Sequence, residues 1–331
     1  MNNYFGVIQL GLLASLGFAI LAALVSAIVY PFVRQRMAKL SPKLRSTTLL
    51  AWLIAPALIG AVLSLLSFMP SIISLFGFVP DHCSVHGGHL HLCLIHPPLP
   101  VENSILQLLL AALVGISIFF IGTPVFDLLR AHKFQRTLMM ASRPHETDPV
   151  RIVDWDMPLA LSVGFRRMRV FISSQLMQTL SPQQLDVVIA HEQAHVSRRD
   201  PLRHFIAHAF SFAHIPWLRK DLLKDFDLAT EQACDEVAAA QTGGRLHVAD
   251  TILAVERLFI MQRVPSMVMS ISGSNISARV ESLVAQPPIS EPISRGYINL
   301  FGIGVLVAVV AVIDDLHHFT ESILQLMTGH M

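Results

Sequence analysis

The chain has 331 residues, of which 53% are hydrophobic and only 14% charged, against about 25% charge in an ordinary soluble domain. That excludes a purely water-soluble protein and places much of the chain in lipid. A net charge of +1 gives no electrostatic case for nucleic-acid binding, and three cysteines are too few for a disulfide scaffold.

The first long apolar run, Tyr4 to Val33, carries no charge and no basic leader, so it is expected to be a retained span. Arg34, Arg36, Lys39, Lys43 and Arg45 follow it. Thr48 to Phe78 is the second run, Ser104 to Leu129 the third and Tyr297 to Ile313 the fourth and shortest. The third is followed by Arg130, Lys133 and Arg136, whereas 79–103 and the tail after Ile313 have no Lys or Arg. The positive-inside bias therefore predicts both termini and 79–103 outside, with 131–294 cytoplasmic. Three regions are expected: 1–130 with three spans, 131–294 as a folded domain, and 295–331 as a fourth span with a short outer tail.

The outer loop crowds His82, Cys83, His86, His89, His91, Cys93 and His96 together, and the tail adds His317, His318 and His330. Such Cys/His density is a compositional metal cue. Cys83 and Cys93 could instead form a disulfide in an oxidising compartment.

The cytoplasmic segment opens with a polar stretch, Ala141 to Pro149, that reads as a linker. Strand-like pieces follow at Arg151–Val153, Leu159–Val163 and Met168–Ser173. Such pieces could form an edge that pairs with an extended peptide, or a small sheet with no binding role, and both readings stay open. Ser181 and Pro182 then signal a helix start ahead of Leu185-Asp186-Val187-Val188-Ile189-Ala190.

That helix carries His191-Glu192-Gln193-Ala194-His195, an H-E-x-x-H motif. Positions i and i+4 share a helix face, so both histidines can reach one metal ion, with Glu192 placed as general base toward a water. Zinc lowers the pKa of a bound water to about 7, which suits peptide hydrolysis near neutrality. His204 and His208 repeat the spacing without the Glu and among Phe205, Ile206, Phe210 and Phe212, which reads as a packed helix and not a second metal site. A catalytic zinc needs a third protein ligand. Glu231 is well placed for it, Asp227 and Glu236 are alternatives, and Asp235 shares Glu231's face, where it could orient a zinc histidine. Cys234 is rotated about 100° from Asp235 and is expected to be a buried, inert thiol. His247 and Arg279 are candidate donors to a developing oxyanion.

Taken together, H-E-Q-A-H-V-S-R-R-D at 191–200, His214-Ile215-Pro216-Trp217 and E-Q-A-C-D-E at 231–236 resemble the antirepressor membrane metallopeptidases of the BlaR/MecR type. Those are gluzincins with three spans before a cytoplasmic zinc domain and one after it. The resemblance implies zinc held by His191, His195 and Glu231, Glu192 as catalytic base and Asp235 as orienter. The fold it implies is a mainly α polytopic membrane protein with four transmembrane helices and a cytoplasmic α+β, gluzincin-like zincin domain. The sequence runs only about 18 residues past the fourth apolar run and has no S-x-x-K set outside, so no penicillin-binding sensor domain is expected. HtpX-type proteases share the motif but place two spans between it and the third ligand. Here about 35 residues separate His195 from Glu231, too few for two spans.

The leading expectation is an inner-membrane zinc metalloendopeptidase that cleaves a regulatory protein in response to an outside signal. By resemblance the substrate is a cytoplasmic transcriptional repressor, and the signal could be a metal. A constitutive quality-control protease and a non-enzymatic metal-binding membrane protein are the alternatives. The expected partners are a protein substrate and the lipid bilayer, with no nucleic acid; homo-oligomerisation is left open.

Overall fold

A computed structural model describes residues 4–77, 92–95, 97, 98, 100, 103–146, 148–165, 167–261, 275–285, 311 and 313–326. Among them three helices are long and apolar enough to cross a membrane: α1 (Tyr4–Met37), α2 (Pro42–Ser67) and α4 (Ser104–Ala141). Most of the fourth apolar run lies outside the described residues, as do His82, Cys83, His86, His89, His91 and His96.

α1 and α2 form a close hairpin. A Cβ at Gly60 would lie 2.5 Å from the Ser15 carbonyl oxygen and 2.8 Å from Ala19 Cβ, so only glycine admits this approach. In lipid, where apolar burial drives helix pairing weakly, small residues and interhelical hydrogen bonds matter more. Ser64 Oγ donates to Gly11 O at 2.8 Å and Trp52 Nε1 to Ser26 Oγ at 2.6 Å.

Two span boundaries differ from expectation. The second apolar run breaks at Phe68, and a short helix α3 (Met69–Leu75) follows. Pro70 lacks an N–H to donate to the carbonyl four residues back and sits in the first turn of α3, a position that suits proline, so the break falls just before it. α4 starts on an Asn103 cap that accepts from Ile105 N and Leu106 N. It runs twelve residues past Leu129, about 18 Å, and ends at the sheet. Its Ile105, Leu108, Ile118 and Phe119 are exposed, as a lipid-facing surface requires.

The four strands are β1 (Ser142–Pro144), β2 (Val150–Val153), β3 (Ala160–Val163) and β4 (Arg169–Ser173), in spatial order β1-β2-β4-β3. Only the β2–β4 pair is parallel. β1 lies in the stretch expected to be a linker: Ser142 to Pro144 pair with Val153 to Arg151. Alternation along β4 separates two cores. Val170 and Ile172 pack with Leu176, Leu180 and Ile189, while Phe171 packs with Val153 and Leu138 of α4.

The remaining helices are α5 (Ser174–Thr179), α6 (Pro182–Arg198), α7 (Asp200–Phe210), α8 (Pro216–Gln241), α9 (Arg245–Met261) and α10 (Ile276–Val284). α6 and α8 sit side by side at the centre. α8 also lies along the membrane hairpin: Leu218, Leu222, Phe226 and Ala229 share one core with Tyr30, Met37, Leu49 and Leu53.

Candidate metal centre

Ser181 starts α6 with a full capping box. Its Oγ accepts from Gln184 N, and Gln184 Oε1 accepts from Ser181 N at 3.1 Å. One helical turn separates His191 from His195, and their Nε2 atoms lie 3.2 Å apart. α8 brings Glu231 against both, with carboxylate oxygens 3.5 Å from each Nε2. These three side chains form one of two groups of potential metal ligands found among the described residues.

Each imidazole is held from behind by a different aspartate. His191 Nδ1 donates to Asp235 Oδ1 at 3.0 Å and His195 Nδ1 to Asp200 Oδ2 at 2.9 Å. Carboxylates on the outer nitrogens point both Nε2 atoms inward and raise their basicity. Asp200 reaches His195 because α6 ends at Arg199 in the left-handed conformation, φ 54°. A non-glycine residue there costs about 1–2 kcal/mol. The turn folds α7 back, so its first residue faces the site.

Arg279 of α10 closes the arrangement. It is buried, donates from Nε and Nη2 to both Asp235 oxygens at 2.8 and 2.7 Å, and lies 3.1 Å from Glu231 Oε2 through Nη1. Burial by itself would raise the Glu231 and Asp235 carboxyls, but Arg279 and the histidines hold both below the usual range. Burial opposes charge on His191 too, yet Asp235 and Glu231 more than offset it and raise its pKa to about 10.

Glu192 points to the sheet. Its Oε2 accepts from Ser162 Oγ of β3 at 2.8 Å. β3 is an edge strand. Ser173 N donates to Leu159 O, and the antiparallel alternation then turns the backbone groups of Ala160 and Ser162 away from β4.

The second group of potential ligands is His195, Asp200 and Cys234. Cys234 is fully buried, as expected, but it does not face away from the site. Its Sγ lies 3.4 Å from both Asp200 Oδ2 and His195 Nδ1, because the α6–α7 turn delivers Asp200 to that side of α8. Burial, then Asp200 and Glu231, push the thiol pKa far up, and a neutral thiol is a poor metal ligand. The same Nδ1 is already committed to Asp200. This cluster reads as packing behind the metal site.

Several expected residues fall elsewhere. His247 Nε2 lies 3.4 Å from Gln183 O in the first turn of α6. That is eight residues before His191, about 12 Å along the axis, so the expected oxyanion donor is corrected. Arg279 is at the site, but its guanidinium is spent on Glu231 and Asp235. Asp227 lies 3.4 Å from His204, and burial raises its pKa to about 6. Glu236 pairs with Arg245 at 3.0 Å. His204 packs 5.0 Å from the Phe226 ring, and burial lowers its pKa to about 4. Of the outer residues, Cys93 is buried, with its Sγ 3.6 Å from Ser71 Oγ. His317 is buried against the end of α2, donating from Nδ1 to Ser67 O at 2.6 Å.

Sequence reasoning missed Asp200 and Ser162. Asp200 follows His195 by five residues, which on an uninterrupted helix faces away; only Pro201 beside it hinted at a new helix start. Nothing in the sequence marks Ser162.

A family model described as BlaR1 peptidase M56 matches residues 99–283, more than half of the chain. The chain belongs to this family of membrane metallopeptidases. No curated protein matches it. Membership makes the chain a metalloprotease by class, and the match spans α4, the sheet and every residue of the metal centre.

Proposed function

We propose that the chain is a zinc metalloendopeptidase with its active site on the cytoplasmic side of the inner membrane, cleaving a regulatory protein. One observation carries the zinc reading. Tetrahedral zinc with bonds of about 2.0–2.1 Å sets its ligand atoms about 3.3–3.4 Å apart. His191 Nε2 lies 3.2 Å from His195 Nε2 and 3.5 Å from Glu231 Oε2, and His195 Nε2 lies 3.5 Å from Glu231 Oε1, so donors from all three side chains converge at close to that spacing. Two imidazoles and one carboxylate also match a catalytic zinc set that leaves a fourth position open.

When bound, zinc supplies Lewis-acid polarisation of the scissile carbonyl and lowers the pKa of a water. The protein supplies the rest. Ser162 fixes Glu192 through Oε2 and leaves Oε1 to take the water's proton and return it to the departing amine. The unpaired edge of β3 can take an extended peptide as an added strand, beside the base. Asp235 and Asp200 keep the imidazoles in register, and Arg279 keeps Glu231 ionised.

The Lys/Arg bias supports a cytoplasmic site, with 131–294 as the protease domain between the third and fourth spans. The substrate we favour is a transcriptional repressor. The signal we favour is metal captured outside by Cys83, Cys93 and the neighbouring histidines. Constitutive cleavage by the purified protein in bilayers would instead favour quality control.

Glu192→Gln tests the mechanism. It should keep metal and lose peptide cleavage by about 10²–10⁴-fold, the usual worth of a general base. Wild-type cleavage by Glu192→Gln with metal bound would refute it.

A further inference from the structure

We infer that a cavity at the start of α2 binds the phosphate of an anionic phospholipid headgroup. The cavity, about 720 Å³, opens between the N-terminus of α2, the end of α6 and the outer turns of α8. Ser41, Lys43, Thr47, Arg198, Arg203 and Glu236 are among its walls. Pockets for small-molecule ligands fall in this range.

The first reason is charge. Arg198 and Arg203 are 10% and 15% exposed, and both draw on the single carboxylate of Asp200, at 3.1 and 3.5 Å. Asp200 is also hydrogen-bonded to His195. Glu236, the carboxylate in the wall, is committed to Arg245. Lys43 stands at the mouth, and among the described residues no acidic group pairs with it. Two largely buried guanidinium groups thus share one carboxylate, beside an exposed lysine that has none, and buried charge short of a partner is costly. Burial and the Arg198 charge lower the Arg203 pKa, against the pull of Asp200.

The second reason is unused donors. Ser41 is the N-cap of α2, yet its side chain makes no capping hydrogen bond. Ser41, Pro42 and Lys43, the first turn of a 26-residue helix, line the same space, and a helix N-terminus is a favourable setting for an anion. Arg198 Nη2 and Arg203 Nη2 both donate to Ser46 Oγ, which fixes them at that end of α2.

The third reason is depth, and it selects a lipid over a soluble phosphate. The apolar run of α2 begins at Thr48, five residues past Lys43 and about 7.5 Å along the helix. The polar layer of a bilayer is about 5–8 Å thick on each side. Counted from Thr48, this sets the proposed site level with the lipid phosphates.

The test is thermal unfolding in nanodiscs of pure phosphatidylcholine and of phosphatidylcholine with phosphatidylglycerol. Wild-type protein should melt higher with phosphatidylglycerol. Lys43→Gln should reduce that gain, Lys43→Gln with Arg203→Gln should remove it, and Lys43→Arg should keep it. Lys39→Gln, exposed nearby but outside the cavity, should also keep it. Retention of phosphatidylglycerol by the solubilised protein, read by native mass spectrometry, covers a double variant that fails to fold. Lys43→Gln should hold the lipid about fivefold more weakly, the worth of one lysine at an anionic surface. An equal loss in Lys39→Gln would reduce the effect to general surface charge and overturn the site. The same gain from inorganic phosphate in phosphatidylcholine discs would overturn the lipid, and so would no retained phosphatidylglycerol on the wild type.

Discussion

The two halves of α8 do different work. From Pro216 to Ala229 the helix lies on the membrane hairpin, burying Leu218, Leu222, Phe226 and Ala229 against α1 and α2. Asp225 adds a clasp there: Tyr30 Oη and Arg34 donate to its carboxylate at 2.6 to 2.8 Å. From Thr230 onward the same helix carries Glu231 and Asp235 and packs against α6, α9 and α10 through Ala238 and Ala239. One half anchors by shape and apolar area; the other positions charge. One continuous helix joins them, so a metal ligand is held at a fixed position relative to the α1–α2 hairpin.

Arg279→Met strikes the charged half. It leaves Glu231 and Asp235 buried without their cation, which should cost about 3–5 kcal/mol of stability and weaken metal binding. Denaturation and metal titration of the purified variant check both. Phe226→Ala strikes the anchoring half. Deleting a fully buried ring should cost about 3–5 kcal/mol, yet folded protein should bind metal within about twofold of wild type, since distant sites behave additively. If Phe226→Ala loses metal affinity as Arg279→Met does, the halves are not separable.

Protons sharpen the same contrast. After metal removal, the His191 pKa of about 10 lies above its ordinary 6.5. Its contribution to stability is therefore fully present below about pH 6.5 and is lost as pH rises through 10. Metal must displace that proton, so affinity should rise about tenfold from pH 7 to pH 8. A flat affinity across that interval would show that His191 is not protonated before metal binds. The smallest effect belongs to the clasp. Arg34 is substantially exposed, so Asp225→Asn should cost only about 1 kcal/mol or less, with metal affinity unchanged in the same titration.

The sequence showed the charged half of α8 and hid the anchoring half. His191, Glu192, His195, Glu231 and Asp235 announce themselves because helical spacing is local and metal chemistry needs few residue types. Three of the strands were legible from β-branched runs, but β1 was not, since Ser142-Arg143-Pro144 has no apolar alternation. Leu222 and Phe226 look like any helix core; that their partners are Leu49 and Leu53 is a contact across more than 160 residues, which periodicity cannot encode. Asp200 escaped notice because it depends on one left-handed residue. Arg279 was singled out as a donor to substrate, but its place between two carboxylates depends on how α10 packs.

The most direct measurement is X-ray absorption at the zinc edge of purified Glu192→Gln protein. The account predicts nitrogen and oxygen scatterers alone, at about 2.0–2.2 Å, from His191, His195, Glu231 and water. A sulfur scatterer at about 2.3 Å would place the metal between His195, Asp200 and Cys234 and contradict it.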